Sequence, residues 1–491
     1  MQIQFRGADR TVTGSCHVLK INGLRILLDL GLYQGPRDAA RRINLDLVED
    51  PQHIDAIILS HGHLDHCGRL PMAVAAGFNG PIYCTPATAA VARIVLLDSA
   101  NIQVEDVSYM CRYVGPNEPP PCNALYTPRD IPAVLKLMRT VDYNTSTDIG
   151  NGVKFTFGDA GHILGSAWVL LEWSEGDRAR TLLFTGDIGR YDAPILRDPQ
   201  PVGRVVDAII TESTYGLVTH GPMQDVEPQF LSAVRYCIQR QSRLIVPSFA
   251  VGRTQTMLWY LEKFISEKSI PQIPIFIDSP MGVEVSHVHS QFRDAYDDQT
   301  RAMIGDRDLF GLARVTFAST PEQSKQINTQ TGPCVIIASS PTCEFGRVLH
   351  HLTISVDRPN DMVVFVGWIP PQTLGRRLQD GEKRVKIFDR WYDVKCQVQT
   401  IHGMSAHADG GELLKFLSPS INASTEAFVV HGEADQADGF AARLIKAGAG
   451  RALVPAMGST VLSGLVDAPN VQGDLSGAAA GSTSRAISDG D

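Results

Sequence analysis

Short apolar runs separated by polar turns recur along the first 190 residues of the chain. Strand-length runs with Gly, Asp and Asn at their flanks are LRILLDL (24–30), DAIILS (55–60), PIYCT (81–85), VKFTF (153–157), AWVLLEW (167–173) and TLLFTGD (181–187). Between them, helical spacing is found in RLPMAVAAGF (69–78) and TAAVARIVLLDSANIQ (88–103). This alternation predicts buried strands layered between helices, which is an α/β fold.

The same alternation begins again at about residue 205 and predicts a second α/β unit. Its strand patterns are VDAIITE, RLIVPSF, IPIFID, CVIIASS and MVVFVGW, separated by helical stretches such as GRTQTMLWYLEKFISE. A last strand pattern, EAFVVHG (426–432), precedes the helical segment GFAARLIKAG (439–448). Beyond about residue 460 the chain is rich in Gly, Ser, Ala and Asp without periodicity, which predicts a disordered tail.

Composition narrows the class of protein. The 491 residues allow two to four domains of roughly 100 to 200 residues, and the formal net charge of −9 argues against a diffuse basic coat for nucleic acid. An anionic substrate would therefore need a local basic patch or a metal. Nine scattered cysteines without a CxxC pair predict a reducing cytoplasm and no zinc ribbon. We expect neither a signal peptide nor a membrane span.

Four side chains that can bind metals follow the apolar run DAIILS. His61, His63, Asp65 and His66 lie within six residues of one another. Side chains alternate along an extended segment, so His61 and His63 point to one side, while the turn through Asp65 and His66 can face a second position. A polar loop with exposed histidines is the better interpretation for any one of them, but not for the cluster. The pattern therefore predicts a site for two adjacent ions.

Three more candidates stand where apolar strand patterns end. His162 follows VKFTF in a glycine-rich turn, Asp187 follows TLLFT, and His431 follows EAFVV. Loops beyond the carboxyl ends of strands are where α/β proteins build their sites, so these distant residues can converge with the cluster. The alternatives are that Asp187 caps a turn and that His431 is a satisfied histidine at a strand end.

The motif HGHLDH, the later His162 and the aspartate of TGD resemble the signature of the metallo-β-lactamase fold, a four-layer αββα sandwich with a dinuclear metal site. The resemblance implies that Asp29, in LLDLG, supports a ligand histidine from behind. It assigns one ion to His61, His63 and His162, the other to Asp65, His66 and His431, and the bridge to Asp187. Imidazole and carboxylate ligands without thiolate fit zinc, with manganese the chief competitor. We expect two Zn²⁺ ions per chain.

Motifs in the second unit resemble those of the β-CASP nucleases, the group that includes the eukaryotic pre-mRNA 3′-end cleavage endonuclease and its bacterial and archaeal relatives. They are TESTYG (211–216), PSFAVGRTQ (247–255), DSPM (278–281), GRVLHHL (346–352), TLGRRL (373–378), SAHAD (405–409) and VVHGE (429–433). The resemblance implies a metallo-β-lactamase domain in two parts, residues 1–205 and 391–460. An inserted α/β β-CASP domain would span 206–390, and the predicted tail would span 461–491.

The extra motif residues of that group correspond here to Glu212, His407 and His431. A histidine in the third place is typical of RNA-processing members, so the resemblance implies a ribonuclease. It would be an endonuclease, with 5′-3′ exonuclease activity also open. Two metals about 3.5–4 Å apart would acidify a bridging water into the hydroxide nucleophile, which puts the ligands Asp65 and Asp187 in the catalytic set. His407, paired with Glu212, would donate a proton to the leaving ribose oxygen. The alternatives are a structural histidine and a glutamate that holds a turn.

Residues for binding single-stranded RNA are predicted in or beside the motif segments. They are Arg253, Ser339, Arg347 and Arg376, with Arg377, Lys383, Arg384 and Lys386 forming either a basic groove or a solvated surface. Three segments depart from the family pattern, at Pro341 and Phe345, at Trp368, and at His402. We expect His350 and His351 to pack and cap. His287 and His289 form an HxH on a helix-like stretch without carboxylate partners, and we leave them out of the site.

Two other functions are weighed against this prediction. A DNA nuclease of the same fold differs in its substrate, and a non-catalytic scaffold subunit of an RNA-processing complex would be expected to have lost ligands. Every expected ligand is present in this chain. We therefore expect a cytoplasmic RNA hydrolase that does not bind membranes, with a homodimer left open.

Overall fold

The computed structural model describes residues 1–46, 50–111, 123–310, 315–367 and 369–462. Trp368, Cys122 and most of the predicted tail lie outside these residues. The cysteines within the described ranges are free thiols, and most of them are buried.

Among the described residues, eleven strands and five α-helices precede residue 212. The strands are β1 (Gln2–Phe5), β2 (His17–Ile21), β3 (Leu24–Leu28), β4 (Ala56–Ile58), β5 (Ile82–Cys84), β6 (Met138–Thr140), β7 (Thr147–Gly150), β8 (Val153–Asp159), β9 (Ala167–Glu175), β10 (Arg178–Phe184) and β11 (Ala208–Thr211). The helices are α1 (Arg37–Leu45), α2 (Leu64–Cys67), α3 (Leu70–Ala75), α4 (Pro86–Cys111) and α5 (Ile131–Leu137). The apolar runs of the sequence form β3, β4, β5, β8, β9 and β10, which lie at or next to the predicted positions.

The elements from residue 226 to 401 form what we call the inserted unit. Its helices are α6 (Val226–Arg240), α7 (Arg253–Ser266), α8 (Pro280–Gln291), α9 (Asp298–Ile304), α10 (Pro321–Ile327), α11 (Val348–Ser355) and α12 (Leu374–Gln379). Its strands are β12 (Arg243–Pro247), β13 (Ile275–Asp278), β14 (Val315–Phe317), β15 (Cys334–Ala338), β16 (Met362–Val366), β17 (Arg384–Ile387), β18 (Arg390–Asp393) and β19 (Gln397–Ile401). The chain ends with α13 (Gly410–Leu417), β20 (Glu426–Val429), α14 (Ala434–Lys446), β21 (Arg451–Leu453) and β22 (Thr460–Leu462).

Two seven-stranded sheets pack face to face. Their strand orders are β22-β1-β2-β3-β4-β5-β6 and β21-β20-β11-β10-β9-β8-β7. The apolar side chains of β8 show why they pack, because Val153, Phe155 and Phe157 are buried between the sheets while Lys154 faces solvent. Helices α3, α4 and α5 cover the first sheet, and α13 and α14 cover the second. The predicted four-layer αββα sandwich is confirmed.

The inserted unit is built on a third sheet, with the order β14-β13-β15-β12-β16-β19. All its pairs are parallel. Separate apolar cores lie on its two faces, one containing α6 and α7 and the other α11 and α12. Parallel strands buried on both faces explain why these segments read as unbroken apolar runs.

Sheet membership differs from the predicted boundaries at two strands. β11 pairs with β10 and β20 in the second sheet, although it follows residue 206, and β19 pairs with β16 in the third sheet, although it follows residue 391. Residues 461 and 462, expected in the tail, instead extend β22 along the edge of β1, where they gain backbone hydrogen bonds. The extents of the domains stay predictions.

Helix α4 is the one helix in the described ranges that is long and apolar enough to cross a membrane by composition. Half of its apolar stretch is buried within the protein. Val91, Ala92, Leu96 and Ala100 belong to the core between the first sheet and the helices that cover it. The buried face of a core helix accounts for this composition.

Candidate metal centre

The first half of the site is built where β4 ends. His61 lies three residues beyond the end of β4 at Ile58 and is buried. His63 has an extended backbone and occupies the N-cap position of α2. Asp65 and His66 then lie in α2 itself. The short helix turns the chain, so the two pairs of side chains belong to different groups.

Helix α2 is held by the loops that surround it. Two of its carbonyl oxygens accept backbone hydrogen bonds, at Asp65 from Ser15 (2.8 Å) and at His66 from Leu30 (2.9 Å). Gly31 allows this close approach, because a Cβ atom there would lie 1.5 Å from the Asp65 carbonyl oxygen. The position of Asp65 and His66 is therefore fixed by backbone contacts.

The second half of the site comes from the second sheet. His162 follows β8, Asp187 follows β10 and His431 follows β20. The loops bearing His162 and Asp187 touch at Gly189, where a Cβ atom would lie 1.8 Å from the carbonyl oxygen of Gly161. His431 has a φ of 47°, a left-handed conformation that is uncommon outside glycine, and its N–H donates to the Ala8 carbonyl (2.7 Å).

One group consists of His61, His63, His162 and Asp187. His63 Nδ1 lies 3.1 Å from His61 Nε2 and 3.2 Å from His162 Nε2. Asp187 Oδ2 lies 3.5 Å from His61 Nε2 and 3.6 Å from His162 Nε2. Four potential ligand atoms from three parts of the chain thus face a common centre.

The other group consists of Asp65, His66 and His431. The Nε2 atoms of His66 and His431 are 3.2 Å apart, and His431 Nε2 lies 3.4 Å from Asp65 Oδ2. Asp187 Oδ2 is 3.3 Å from His66 Nε2, so this one oxygen contacts both groups. The structure therefore brings all seven predicted ligands together and places Asp187 between the two sets.

The residues fit divalent cations. Tetrahedral ligands with Zn–N bonds of about 2.0–2.1 Å lie about 3.3–3.4 Å apart, close to the 3.1–3.6 Å edges of the first group. Asp187 Oδ1 is buried and has no hydrogen-bond partner among the residues that the structure describes. A buried carboxylate oxygen without a donor is costly unless a cation pairs with it.

The outward atoms of four histidines are held by the protein. His66 Nδ1 lies 2.6 Å from Asp29 Oδ2, and His162 Nδ1 lies 3.1 Å from the Ala406 carbonyl oxygen. The remaining two pairs are His61 Nδ1 with Ser60 Oγ (3.0 Å) and His431 Nδ1 with Thr214 Oγ1 (3.1 Å). In these four rings, a proton held on Nδ1 leaves the Nε2 lone pair pointing inward and able to bind a metal.

Asp29 is itself fixed in place. It is fully buried with a φ of 58°, and it accepts the Ser60 N–H (2.8 Å) and the Ser60 hydroxyl (2.9 Å). Sequence reasoning singled out Asp29 but missed Ser60 and Thr214. Ser60 directly precedes a ligand candidate and Thr214 lies two residues after Glu212, so adjacency to predicted site residues was the available signal.

Burial and charge set the protonation of the site. Burial lowers the pKa of His63 to about 4 and those of His61 and His162 well below the ordinary value. For His66, burial also favours the neutral ring, but the Asp187 and Asp29 carboxylates raise the pKa well above the ordinary value. The same carboxylates would also favour a bound cation. A proton and a metal would therefore compete for His66 Nε2.

His407 and Glu212 lie at the edge of the metal centre. His407 Nδ1 is 3.2 Å from Glu212 Oε2 and 3.8 Å from Asp187 Oδ2. Burial alone would lower the His407 pKa, but Glu212 and Asp187 raise it to about 9. Glu212 is buried and also accepts the Ile188 N–H (2.7 Å), so it holds the loop of Asp187 as well as the imidazole. Asp409, in the same SAHAD motif as His407, caps the N-terminus of α13 with its side chain.

The four predicted RNA-binding residues make contacts within the inserted unit. Arg347 Nη1 lies 2.7 Å from the fully buried Asp278 carboxylate, and this guanidinium also donates to the carbonyls of Ala318 and Ser319. The others are Arg376, paired with Asp380 (2.9 Å), Ser339, bonded to Ser279 (2.9 Å), and Arg253, which donates to the Val366 carbonyl. Their assignment to the substrate stays a prediction.

The other histidines, basic residues and departures from the family pattern named in the sequence analysis lie at separate places in the inserted unit and its borders. His351 is buried between Asp278 (2.7 Å) and Asn328 (2.9 Å), and the ring of His350 lies tilted against that of Phe388. Pro341 is buried, whereas Phe345, His402, Lys383, Arg384 and Lys386 are exposed, and Arg377 pairs with Glu382. On α8, His287 faces solvent and His289 is buried.

Models of three protein families match the chain. The Metallo-beta-lactamase superfamily matches residues 9–247, and the Beta-Casp domain matches residues 254–378. The Zn-dependent metallo-hydrolase RNA specificity domain matches residues 391–455. These matches together include most strands of both sandwich sheets and most of the inserted unit, but not β1, β17 or β22.

Curated relatives extend over most of the chain. It is 32% identical to Ribonuclease TTHA0252 of Thermus thermophilus, over 89% of this chain and 94% of that protein. It is 29% identical to Transcription termination factor FttA of Methanosarcina mazei, over 88% of this chain and 67% of the relative. Identity to Cleavage and polyadenylation specificity factor 73 of Drosophila melanogaster is also 29%, over 89% and 60% of the two chains.

One solved structure of similar fold comes from Enterococcus faecalis V583 and is described as a protein of unknown function. The TM-score is 0.54 at 12% identity, and the match covers 94% of this chain and 99% of the other. At this identity the likeness concerns the fold alone.

Proposed function

We propose, from the premise that this chain belongs to the β-CASP group of the metallo-β-lactamase superfamily, that it cleaves RNA at a dinuclear zinc centre. The chain is a metal-dependent hydrolase that acts on RNA. The observation that carries the dinuclear proposal is Asp187 Oδ2, which lies within 3.6 Å of ring nitrogens from both ligand groups. A single oxygen in that position suits a bridge between two cations.

The proposed ligands have separate tasks. Two bound divalent ions would bring the pKa of a shared water toward neutrality and offset charge on the phosphate. His61, His63 and His162 would hold one ion, and Asp65, His66 and His431 the other. Asp29, Ser60 and Thr214 orient the rings, so that the site is formed before substrate binds.

The proposed proton donor is His407. Its ring centroid lies 4.4 Å from that of His162 and 6.0 Å from that of His431, so it borders both ligand groups. Glu212 is hydrogen-bonded to His407 Nδ1, so Nε2 is left to donate to the leaving ribose oxygen. The His407 side chain retains 20% exposure, which gives a substrate access to it. An alkoxide is a poor leaving group, so donation of this proton to the ribose oxygen would make the phosphodiester easier to cleave.

The preference for RNA is supported by the match to an RNA specificity domain and by the 32% identity to Ribonuclease TTHA0252. His431, in the third motif place, agrees with this preference. Cleavage within the RNA is the proposed main activity, with 5′-3′ exonuclease activity open. Homodimer formation and cytoplasmic location stay predictions.

The test combines metal analysis with labelled substrates. The full chain is incubated with matched single-stranded RNA and DNA, each labelled at either end, at one fixed salt concentration. We expect RNA fragments of internal length and slower DNA cleavage, with the Asp187→Asn variant as the inactive control. Equal or faster cleavage of DNA would overturn the choice of RNA, and the absence of cleavage with full metal content would favour a scaffold.

A further inference from the structure

Arg190 is a buried cation to which the proposed reaction gives no task. It lies three residues after Asp187 in the chain, and the residue is 5% exposed. Arginine is almost never buried to this extent unless its charge is paired and its N–H groups are hydrogen-bonded. The partners of Arg190 therefore show what its burial stabilises.

Three segments that are distant in the sequence supply these partners. Arg190 Nη1 donates to the Gly403 carbonyl and lies 3.2 Å from Met223 Sδ, and Nη2 lies 3.3 Å from the Gly221 carbonyl oxygen. Arg190 Nε lies 3.3 Å from Glu412 Oε2, in an ion pair that is largely shielded from solvent. The planar fork of one guanidinium thus joins all three segments.

Two of these segments connect the sandwich with the inserted unit. Residues 212–225, which we call the entry segment, lead from β11 to α6, and residues 402–409, the exit segment, lead from β19 to α13. Gly403 has a φ of 91°, and a Cβ atom there would lie 3.2 Å from the Gly221 carbonyl oxygen. The two segments therefore lie side by side, and Arg190 bonds to both of them.

His407 lies in the exit segment, between the parts of the chain that Arg190 holds. Gly403 precedes it by four residues, and Glu412 follows it by five. The oxygen that pairs with Arg190, Glu412 Oε2, also accepts the Asp409 N–H (2.9 Å). The chain is thus fixed on both sides of His407 by bonds that meet at Arg190.

The residues just before Arg190 hold the backbone of His407. Gly189 and His407 form an isolated antiparallel bridge, and the Ala408 N–H donates to the Ile188 carbonyl (2.8 Å). Because this pairing is a single bridge, we expect its register to depend on the Arg190 contacts beside it.

We infer that Arg190 is a positioning residue for the proposed proton donor: by bonding to the entry and exit segments, it keeps the His407 imidazole where it reaches the leaving ribose oxygen. The inference rests on the proposed function and deepens it. The hydrogen bonds of the Arg190 side chain within the described ranges involve none of the seven predicted ligands. Loss of Arg190 should therefore misplace the acid and leave the metals bound, and a displacement of about 1 Å can cost about 10²-fold in rate.

The experiment compares two leaving groups. RNA cleavage expels an alkoxide that needs a proton, whereas bis(4-nitrophenyl) phosphate expels a stabilised phenolate that does not. The full-length wild type, His407→Ala and Arg190→Met are assayed with both substrates, and metal content and thermal unfolding are measured on the same samples. For Arg190→Met we expect the ratio of RNA cleavage to ester hydrolysis to fall by about 10–100-fold, with the metal content of the wild type.

Arg243→Met is the matched control. Arg243 is also 5% exposed, and its Nη2 donates to the carbonyls of Asn328 and Gln330 within the inserted unit. Its loss should reduce stability and leave the ratio of the two activities unchanged. An equal fall of both activities in Arg190→Met, or an unchanged ratio, would make Arg190 a structural residue alone and overturn the inference.

A double variant tests whether Arg190 acts through His407. Because His407→Ala already lacks the acid, adding Arg190→Met should reduce RNA cleavage by about twofold or less. A further loss as large as that of Arg190→Met alone would overturn the inference. If Arg190→Met fails to fold, Glu412→Ala removes the carboxylate partner instead, and the same outcomes decide. Failure of the wild type to cleave RNA, or an equal loss of both activities in His407→Ala, would instead refute the proposed function.

Discussion

The metal centre and the basic residues of the inserted unit use their polar atoms in opposite ways. At the metal centre, the outer nitrogens of His61 and His162 are hydrogen-bonded to the protein, and their inner nitrogens face Asp187. In the inserted unit, the guanidinium of Arg347 is bonded to Asp278 and to two carbonyls. The first arrangement turns several potential ligand atoms toward one another, as a cation site requires, whereas the second pairs its guanidinium within the fold.

This difference shows what a motif residue can mean. Several imidazoles and a carboxylate that converge in a buried space repay their desolvation only through a metal or protons. An arginine can be satisfied by carboxylates and carbonyls of its own fold, as Arg347 is. A motif arginine is thus weaker evidence for a substrate contact than a motif histidine is for a metal.

The largest effect is expected for Asp187→Asn, because it removes the carboxylate that faces both ligand groups. RNA cleavage should fall by at least about a thousandfold, and both ions should bind more weakly. Metal content after gel filtration and initial cleavage rates measure this. Asp177→Asn, in the exposed turn between β9 and β10, is the control. Retention of both ions and of activity would place the bridge elsewhere.

His407→Ala should leave the ligand groups intact and slow cleavage by about 10²–10⁴-fold, the usual contribution of a general acid. Metal content and thermal unfolding should stay close to those of the wild type. Glu212→Gln keeps a hydrogen-bonding side chain beside His407 and should lose less activity. If the His407 variant loses metal, that residue is a ligand or a support and not the proton donor.

Arg347→Ala sharpens the other side of the comparison. The variant removes the arginine partner of the buried Asp278 carboxylate, which keeps only His351 and Ser324. The free energy of unfolding should therefore fall by about 3 kcal/mol. Arg376→Ala breaks an exposed pair and should cost less than about 1 kcal/mol. Urea unfolding and RNA binding of the folded proteins are measured together. Unchanged stability with weaker RNA binding would make Arg347 a substrate contact.

The smallest expected effect is a pH dependence caused by His289. Its pKa is about 4 in the folded protein against about 6.5 when unfolded, so the unfolded chain binds more protons between these values. Stability from this group is present above pH 6.5 and is lost as the pH falls toward 4, by up to about 1.4 kcal/mol per pH unit. Urea unfolding at pH 7 and pH 5 should show a shallower loss for His289→Leu than for His287→Leu. Equal losses would mean that His289 takes up its proton without cost.

Much of the sandwich could be predicted because its central strands are strongly apolar. LRILL and VKFTF became β3 and β8, and the metal-competent residues follow such strands. Strands such as β7, with the sequence TDIG, and β22, with TVL, were missed because they are short edge strands whose pairing depends on neighbours far along the chain. Their formation is decided by tertiary contacts and not by local pattern.

The ligand set of the candidate site was visible in the sequence, whereas its supports were not. The partner of His162 is the carbonyl of Ala406, 244 residues away, and any residue type could supply that oxygen. The pairing of Arg347 with Asp278, 69 residues away, likewise could not be predicted from the sequence alone. Sequence pattern reveals residues whose chemistry is special, but not partners that are chosen by position alone.

The central claim is that two metal ions share Asp187, and His431→Ala tests it most directly. The full-length wild type and the variant are purified in parallel, with the exposed His402→Ala as the control, and metal per chain and RNA binding are measured on the same samples. We expect about two ions in the wild type and control, and about one in the His431 variant with RNA binding retained. Unchanged metal content in the His431 variant, together with weaker RNA binding, would contradict it and make His431 a substrate contact.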